Sequence, residues 1–257
     1  PNRTFIFADL DSNGWPQTAR NRALRLMRKG YAFHYAGDQH LPSITQNGIE
    51  TWGDAGFAFC VPSIAAGYPR SWLPDMAGRP VQNRPAAGLP NTGEYRDGLG
   101  NHVTVHGVGN PADQNRPGRE NRAHDKSSGH GIVRFDPATL TITMECYRVQ
   151  IDPKNLQPGD QFAGWPKTIK LGDNRGQKVS GHLPKISAPA GVTRPVLRVF
   201  KTDNGELVYA LRLADPAVTP WIYADGKYRV EMGDPDTNDW TVVTEASPVA
   251  VGDQTPQ

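Results

Sequence analysis

The chain lacks the features that define several large classes of proteins. No apolar run approaches the roughly 18 residues of a membrane-spanning helix, and no signal peptide is recognisable. The net charge is only +2, which gives no general reason to expect nucleic acid or a membrane surface as a partner. The sequence also contains neither the nucleophile elbow of a serine hydrolase nor a glycine-rich phosphate-binding loop.

Cysteine is scarce, with only two residues in the chain. Cys60 and Cys146 both lie in apolar, strand-like runs, which favours two small buried hydrophobic side chains. A single disulfide between them stays open, because spacing alone does not establish one. Two cysteines therefore do not define the redox compartment of the protein.

Apolar residues make up 37% of the 257 residues, below the usual share of a globular protein, whereas there are 27 glycines and 23 prolines. This composition favours short strands and irregular loops in one large domain, alone or with a small one. The chain begins at Pro1 and enters an apolar run, residues 4–8, almost directly. We therefore expect a processed product or a fragment, with any targeting signal upstream.

The first forty residues predict a strand, a helix and a second strand. Residues 4–8 are apolar, residues 18–29 have a helical apolar stripe, Gly30 is suited to end the helix, and residues 31–36 are apolar again. This order is typical of a parallel crossover unit, so we predict an α/β (α+β) fold for this part of the chain.

The remainder of the chain predicts mainly strands. Residues 131–135 and 139–147 are expected to form one hairpin, and residues 196–202 and 207–213 a second, around an Asn-Gly turn. Residues 67–100 form a long loop region that is expected to bear a function or an interaction. We divide the chain into a main domain, a linker and a small all-β domain, which span residues 1–170, 171–192 and 193–257.

The most informative segment is residues 37–40, Gly-Asp-Gln-His, which follows a short apolar run. In an extended segment the side chains of Asp38 and His40 point the same way, because side chains alternate with a period of two. A carboxylate and an imidazole together suit zinc, manganese or iron. The alternative is that Asp38 is a turn residue and His40 an ordinary polar residue of a loop.

Three acidic or amide side chains, Asp9, Asp11 and Asn13, have a spacing like that of a calcium-binding loop. The bidentate glutamate that such a loop needs at its twelfth position is absent, because Arg20 stands there. A turn that caps the following helix is the alternative. We therefore place Asp11 and Asn13 around the site, without making them ligands.

The predicted helix carries a basic run, of which Arg20 and Arg22 lie near its start. An arginine there could donate to phosphate oxygens as a planar fork, although such a run is more often a solvated face. His34 precedes Asp38 in the strand and is interpreted as a core or second-layer residue. His124, Asp125 and His130 lie in a polar region and are expected at the surface.

Several short motifs, in order, resemble the alkaline-phosphatase-D-like (PhoD-like) branch of the calcineurin-like metallophosphoesterases. The match covers roughly residues 4–170, as the C-terminal portion of that family. The segments that carry it are residues 9–17, 20–24, 36–41, 48–55, 57–64, 98–105, 131–135 and 141–146.

The resemblance implies a two-sheet sandwich flanked by helices, with two divalent or trivalent metal ions (zinc, manganese, iron or calcium) that hydrolyse phosphate mono- or diesters. It assigns metal ligation to Asp38 and His40, the counterpart of the family's final G-[HD]-x-H motif. The family's earlier D-x-H and G-D-x-x-D motifs have no counterpart before residue 37. Residues 100–102, Gly-Asn-His, imitate a third motif but come after the last one, so turn chemistry explains them better.

An incomplete ligand set predicts that an N-terminal fragment or a partner polypeptide completes the fold and the site. Half of an α/β sandwich would also expose an apolar sheet face, which isolated domains seldom tolerate. The competing interpretation is a non-catalytic structural or extracellular assembly protein on a degenerate esterase fold. The resemblance alone suggests a secreted protein, periplasmic or extracellular.

Overall fold

The computed structural model describes residues 14–64, 69–79, 81–85, 88–112 and 116–250. The chain divides into two compact units. Unit 1 comprises Pro1–Arg25 and Phe33–Gly176, and unit 2 comprises Leu26–Ala32 and Gln177–Gln257. No helix in the described ranges is long and apolar enough to cross a membrane.

Unit 1 consists of strands with little helix. In chain order its described elements are α1 (Gln17–Lys29, whose last turn belongs to unit 2), β1 (His34–Ala36), β2 (Ser43–Asn47), β3 (Phe57–Cys60), β4 (Gly93–Arg96), β5 (His102–Val108), α2 (Arg119–Asp125), β6 (Gly129–Asp136), β7 (Thr141–Arg148), β8 (Lys167–Lys170) and a 3-10 helix (Asp173–Arg175).

The predicted first helix is confirmed, and its ends follow from local chemistry. The side chain of Gln17 donates to the carbonyl of Leu99 at 2.8 Å, which fixes the first turn. At the other end, the backbone amide of Gly30 donates to the carbonyl of Met27. The residue that leaves the helix with a left-handed φ is Tyr31 (φ 52°), and not the expected Gly30. A buried aromatic ring there takes the place of the usual glycine.

Two sheets form the body of unit 1. The first has the order β1-β3-β2-β5-β4, and every neighbouring pair in it is antiparallel except the parallel pair β1/β3. The second has the order β6-β7-β8 and is antiparallel throughout. The hairpin predicted around residues 136–137 is confirmed as β6/β7, because Asp136 faces Thr141 across the turn.

The core of unit 1 lies between these two sheets. A Cβ on Gly131 of β6 would lie 2.4 Å from Val61 and 2.9 Å from the ring of Phe59, so only glycine permits this approach of the sheets. The buried residues of this core are Ile44, Phe57, Phe59, Ile142, Met144, Cys146, Phe162, Trp165 and Ile169.

The predicted α/β fold is wrong, since the described residues form far more strand than helix and contain only two α-helices. The expected crossover needed a strand at residues 4–8, which lie outside the described residues. The parallel partner of β1 is instead β3, reached through β2 with no helix between them. The prediction therefore took a strand–helix–strand pattern in the first forty residues as the rule for the whole unit, whereas its sheets are mainly antiparallel.

Unit 2 is all-β apart from the last turn of α1. Its strands are β9 (Gly181–His182), β10 (Ile186–Ser187), β11 (Val196–Lys201), β12 (Leu207–Arg212), β13 (Ala217–Val218), β14 (Trp221–Ile222), β15 (Tyr228–Asp234), β16 (Asp239–Ala246) and β17 (Val249–Ala250). They form sheets of the order β12-β11-β15-β16, β14-β9-β17 and β10-β13.

The second predicted hairpin is confirmed as β11/β12. Gly205 has a φ of 69°, which its missing side chain permits, and its amide donates to the carbonyl of Lys201. Residues 171–192, expected to form a linker, contain the 3-10 helix and the short strands β9 and β10.

Candidate functional site

Asp38 and His40 lie in the loop that follows β1, at the end of the first sheet where β3 also ends. Both residues have left-handed backbones, with φ 69° and 52°. The segment is therefore a bend and not the extended strand assumed from the sequence, so the period of two does not align these side chains. The loop is held by Arg70, whose amide donates to the His40 carbonyl and whose guanidinium donates to the Gln39 side chain at 3.1 Å.

Cys60, the last residue of β3, lies within electrostatic range of Asp38. Burial raises the pKa of the Cys60 thiol, a backbone hydrogen bond from Gln39 opposes this, and the negative charge of Asp38 adds to it. Burial also raises the pKa of Cys146, with a contribution from Cys60. Both cysteines are free thiols, so the disulfide that the sequence left open is not formed in this structure.

Arg20 is engaged elsewhere in unit 1. Its guanidinium donates to the carbonyl of Gly48 at 2.7 Å, with longer bonds to Asn47 and His102. Asn47 ends β2, whereas the loop of Asp38 lies near Ser43, at the start of that strand. Four residues of strand span about 13 Å. The structure therefore does not bring Arg20 to Asp38 and His40.

Burial lowers the pKa of Arg20, against the opposing charges of Asp97 and Asp54. Arg20 is thus surrounded by backbone carbonyls and carboxylates of its own chain, and these contacts indicate a structural role. Arg22, the other predicted phosphate ligand, is exposed on the same helix.

The remaining predicted residues do not converge with Asp38 and His40. His34 is partly buried in the edge strand β1, opposite Ala58, and burial lowers its pKa. Asp11 and Asn13, with Asp9, lie outside the described residues.

Residues 100–102 leave a turn and enter β5 at His102, which agrees with the turn chemistry that the sequence favoured. One carboxylate oxygen of Asp97 accepts the backbone amides of Leu99 and Asn101, at 2.9 and 2.8 Å. Its other oxygen accepts the side-chain amide of Asn101, which also donates to the carbonyl of Gly14. The side-chain nitrogen of Asn101 therefore donates both of its hydrogen bonds within the chain.

The described residues contain no group of three or more histidine, cysteine, aspartate or glutamate side chains that could hold a metal ion. Asp38 and His40 remain the pair with suitable donor chemistry at the end of the sheet, since a carboxylate and an imidazole both bind zinc, manganese and iron. Metal ligation by this pair therefore stays a prediction.

A second polar group at this end of unit 1 was missed from the sequence. It comprises His124, Ser127, Ser128 and Arg148, and is called the serine–arginine cluster below. The amide of Ser128 donates to the carbonyl of Ala123, and the amide of Val149 donates to the carbonyl of Ser128. These two bonds connect helix α2 to the end of strand β7.

The serine–arginine cluster lies at the same end of the sandwich as the loop of Asp38. The amide of Gly129, next to Ser128, donates to the carbonyl of Ser63, just beyond β3. The amide of Val61 in turn donates to the carbonyl of Ala36, two residues before Asp38. The polar residues of both loops therefore lie where β1 and β3 end and β6 begins.

The prediction that Asp125 lies at the surface is wrong, because it is only 3% exposed. Arg116 donates from Nε to both of its carboxylate oxygens, at 3.0 and 3.1 Å, and from a terminal nitrogen at 2.6 Å. These bonds hold the pKa of Asp125 below its usual value. His130 is exposed as expected and stacks on Tyr147.

No protein-family model matches the chain, and neither the curated proteins nor the solved structures gave a match. The family resemblance of the short motifs therefore stays a prediction, and the function is argued from the geometry of the residues.

Proposed function

We propose that this chain supplies Asp38 and His40 to a two-metal centre that hydrolyses phosphate mono- or diesters. The observation that carries the proposal is the left-handed backbone of both residues, in one four-residue loop at the ends of two parallel strands. Such a conformation costs most non-glycine residues on the order of 1 kcal/mol or more, and aspartate and histidine tolerate it better than most. Backbone strain of this kind clusters at active sites, where it positions side chains for a ligand.

The donor chemistry of the two side chains agrees with this proposal. A carboxylate binds a metal ion in its ionised form and an imidazole in its neutral form, so the pair can supply one oxygen and one nitrogen donor. A bound metal pair, about 3.5–4 Å apart, generates a nucleophile from water and neutralises the charge that develops on the phosphoryl group.

Two residues do not complete such a centre, since each metal ion takes four or more ligands. We propose that the missing donors come from an N-terminal segment or from a partner polypeptide. This part of the proposal predicts weak metal binding by the 257 residues alone. It predicts stronger binding once the additional polypeptide is present.

The test is hydrolysis of a chromogenic phosphodiester, such as bis(p-nitrophenyl) phosphate, by the chain together with the polypeptide encoded immediately before it. Manganese and zinc are supplied in turn, and bound metal is measured. Asp38→Asn and His40→Gln should each lower the activity by at least roughly 10–100-fold. That is the loss caused by replacing residues that only hydrogen-bond to metal ligands, and a ligand itself should matter at least as much. Asp203→Asn, in an exposed turn of unit 2, is the matched control and should retain full activity. Full activity and metal content in both site variants would reject the proposal.

The alternative function, non-catalytic assembly, has an observation of its own in unit 2. Among the described strands, β16 pairs only with β15, and it exposes Val242 (48%) and Val243 (37%). An open edge with apolar residues is suited to pairing with a strand of another chain. Light scattering of the purified chain tests this, because Val242→Lys should reduce association if β16 is an interface. Association that needs neither metal nor Asp38 would favour this function over hydrolysis.

A further inference from the structure

The β8 strap, residues 167–175, comprises strand β8 and the 3-10 helix that follows it. Among the described strands, β8 pairs only with β7, so it forms an edge of the second sheet. Just before the strap, the ring of Trp165 packs so closely on β5 that a Cβ on Gly107 would lie 3.3 Å from it. The strap is fastened to the first sheet by Asn174, whose side-chain oxygen accepts the backbone amide of Phe57 at 2.8 Å. A short edge strand with one paired neighbour opens at a lower free energy than the core of a domain.

The inner face of β8 meets the first sheet at a histidine. Lys167 begins β8 directly opposite Met144, which is fully buried. Because directly opposite residues share one face of a sheet, Lys167 points toward the same interior. His106 projects into that interior from β5, and its ring centre lies 4.9 Å from that of the core residue Phe57. The positive charge of Lys167 acts on His106, so the two side chains lie within electrostatic range of each other on different sheets.

The surroundings of His106 favour its neutral form. Neither of its ring nitrogens has a hydrogen-bond partner among the described residues. Burial, with a contribution from the charge of Lys167, lowers its pKa from 6.5 to about 3. Burial also lowers the pKa of Lys167, and the negative charge of Asp173, within the strap, opposes this. A proton on His106 would therefore add a second positive charge to this interface, where desolvation makes an unpaired charge costly.

We propose that the β8 strap is an acid-sensitive fastening, which detaches from the first sheet when His106 takes up a proton, while the other strands of unit 1 stay paired. In the closed state the ring stays neutral down to about pH 3, whereas a detached strap lets water reach the ring, which then titrates near its ordinary pKa of 6.5. Between these two values the equilibrium should move toward the detached state by about tenfold per pH unit as the pH falls. The strap uses no metal ion and neither Asp38 nor His40, so it does not depend on the proposed hydrolysis.

The test is amide hydrogen exchange of the full chain, with the rates corrected for the intrinsic effect of pH on exchange. From about pH 6.5 to about pH 4.5 the opening constant of the strap amides should rise by up to about 100-fold, which is tenfold for each of two pH units. The amide of Phe57, which Asn174 holds, should rise with them. The amides of β6 and of β11 in unit 2 should not follow. Far-UV circular dichroism should show that the chain is still folded at the lower pH.

His106→Leu should make the opening of the strap nearly independent of pH, because the titrating group is gone. His130→Gln is the matched control, since it removes an exposed histidine of the same unit and should retain the full pH dependence. Lys167→Met keeps His106 in place should His106→Leu fail to fold, and it should lower the opening constant at the lower pH by removing the facing charge. Asn174→Ala should raise the opening constant by the same factor at both pH values, because it loosens the strap without changing a titrating group.

Three results would overturn the proposal. The first is strap opening that does not rise between the two pH values. The second is a pH dependence that persists in His106→Leu as it does in His130→Gln, which would assign it to another group. The third is a rise of the β6 amides together with those of the strap, which would show that acid favours global unfolding and not the detachment of one segment. Asp38→Asn should leave the exchange of the strap unchanged, so the failure of the metal proposal and the failure of this one are distinguishable.

Discussion

The two ends of the sandwich in unit 1 differ in how their polar groups are engaged. At the helix end, where α1 meets the end of β2, Asp54 accepts the amides of Ile49, Glu50 and Thr51. Arg20 and Asp97 are engaged there in the same way by backbone groups. At the loop end, by contrast, Asp38 and His40 have left-handed backbones and the hydroxyls of Ser127 and Ser128 have no partner among the described residues.

This difference bears on what each polar residue can offer to a ligand. A polar group whose partners lie within the chain stabilises the fold and has little left to offer a ligand. A buried polar group without such partners lowers stability, and a ligand or a water molecule can supply the missing contact. Arg20 and Arg148 illustrate the contrast, since both are partly buried arginines and only the first donates to carbonyls of its own chain.

His106 lies between the two ends and carries the largest predicted effect. It is the extra residue of a bulge in β5, because Ile44 faces Gly107 and Thr45 faces Val105. Burial, with a contribution from the positive charge of Lys167, lowers its pKa from 6.5 to about 3. Neither ring nitrogen has a partner among the described residues, so the protein stabilises only the neutral ring.

Between about pH 6.5 and pH 3 the unfolded chain therefore binds a proton at His106 that the folded chain does not. The free energy of unfolding should fall as the pH falls through this window, by at most about 1.4 kcal/mol per pH unit from this residue. Urea unfolding from pH 7.5 to pH 4 measures the slope, and His106→Leu should reduce it. At pH 7.5 the difference in the free energy of unfolding between His106→Leu and the unaltered chain measures the effect of the substitution on packing. An unchanged slope would show that His106 is protonated in the folded protein.

The helix end is tested most directly by a pair of arginines on α1. Arg20→Gln leaves the carbonyl of Gly48 without its donor and should lower the free energy of unfolding by about 2–3 kcal/mol. Arg22→Gln removes the same charge from an exposed position and should change it by less than about 0.5 kcal/mol. Urea unfolding of both variants provides the comparison. If Arg20→Gln and Arg22→Gln were equally stable and Arg20→Gln lost phosphoesterase activity, the role of Arg20 would be phosphate binding, as the sequence predicted.

Local chemistry made much of the secondary structure predictable. The apolar stripe of α1 and the Asn-Gly turn between β11 and β12 act over a few residues, and the structure confirms both. The fold class was not predictable in this way, because it depends on which strands pair. The partner of β1 is β3, more than twenty residues further on, and no local pattern specifies that choice.

The candidate residues divide along the same line. Asp38 and His40 were recognisable because they stand close together in the sequence with metal-ligand chemistry. The serine–arginine cluster was not, since Ser127 and Arg148 are ordinary residues on separate elements. Their significance lies in burial without a partner, which only the structure reveals. The nearest signal in the sequence was the adjacent pair at 127 and 128, just after a histidine and an aspartate.

Asp97 tests how much one engaged carboxylate at the helix end contributes. Asp97→Ala removes the acceptor of the Leu99 and Asn101 amides, and should lower the free energy of unfolding by about 1–2 kcal/mol. Asp97→Asn keeps one acceptor oxygen but turns a second donor toward the side chain of Asn101. Its cost should therefore be smaller, and the difference measures the side-chain bond. Equal losses in thermal or urea unfolding would instead place the whole effect on that bond.

The smallest effect is expected at an ion pair of the helix end whose two side chains contact each other but are exposed to solvent. Arg25 and Glu50 meet at 2.5 Å, with side chains 51% and 59% exposed. Glu50→Gln should change the free energy of unfolding by less than about 0.5 kcal/mol, because solvent screens the pair and ordering two long side chains costs entropy. A double-mutant cycle with Arg25→Gln measures the coupling. A coupling above about 1 kcal/mol would show that polar contacts at this end of unit 1 stabilise the fold even where the side chains are exposed.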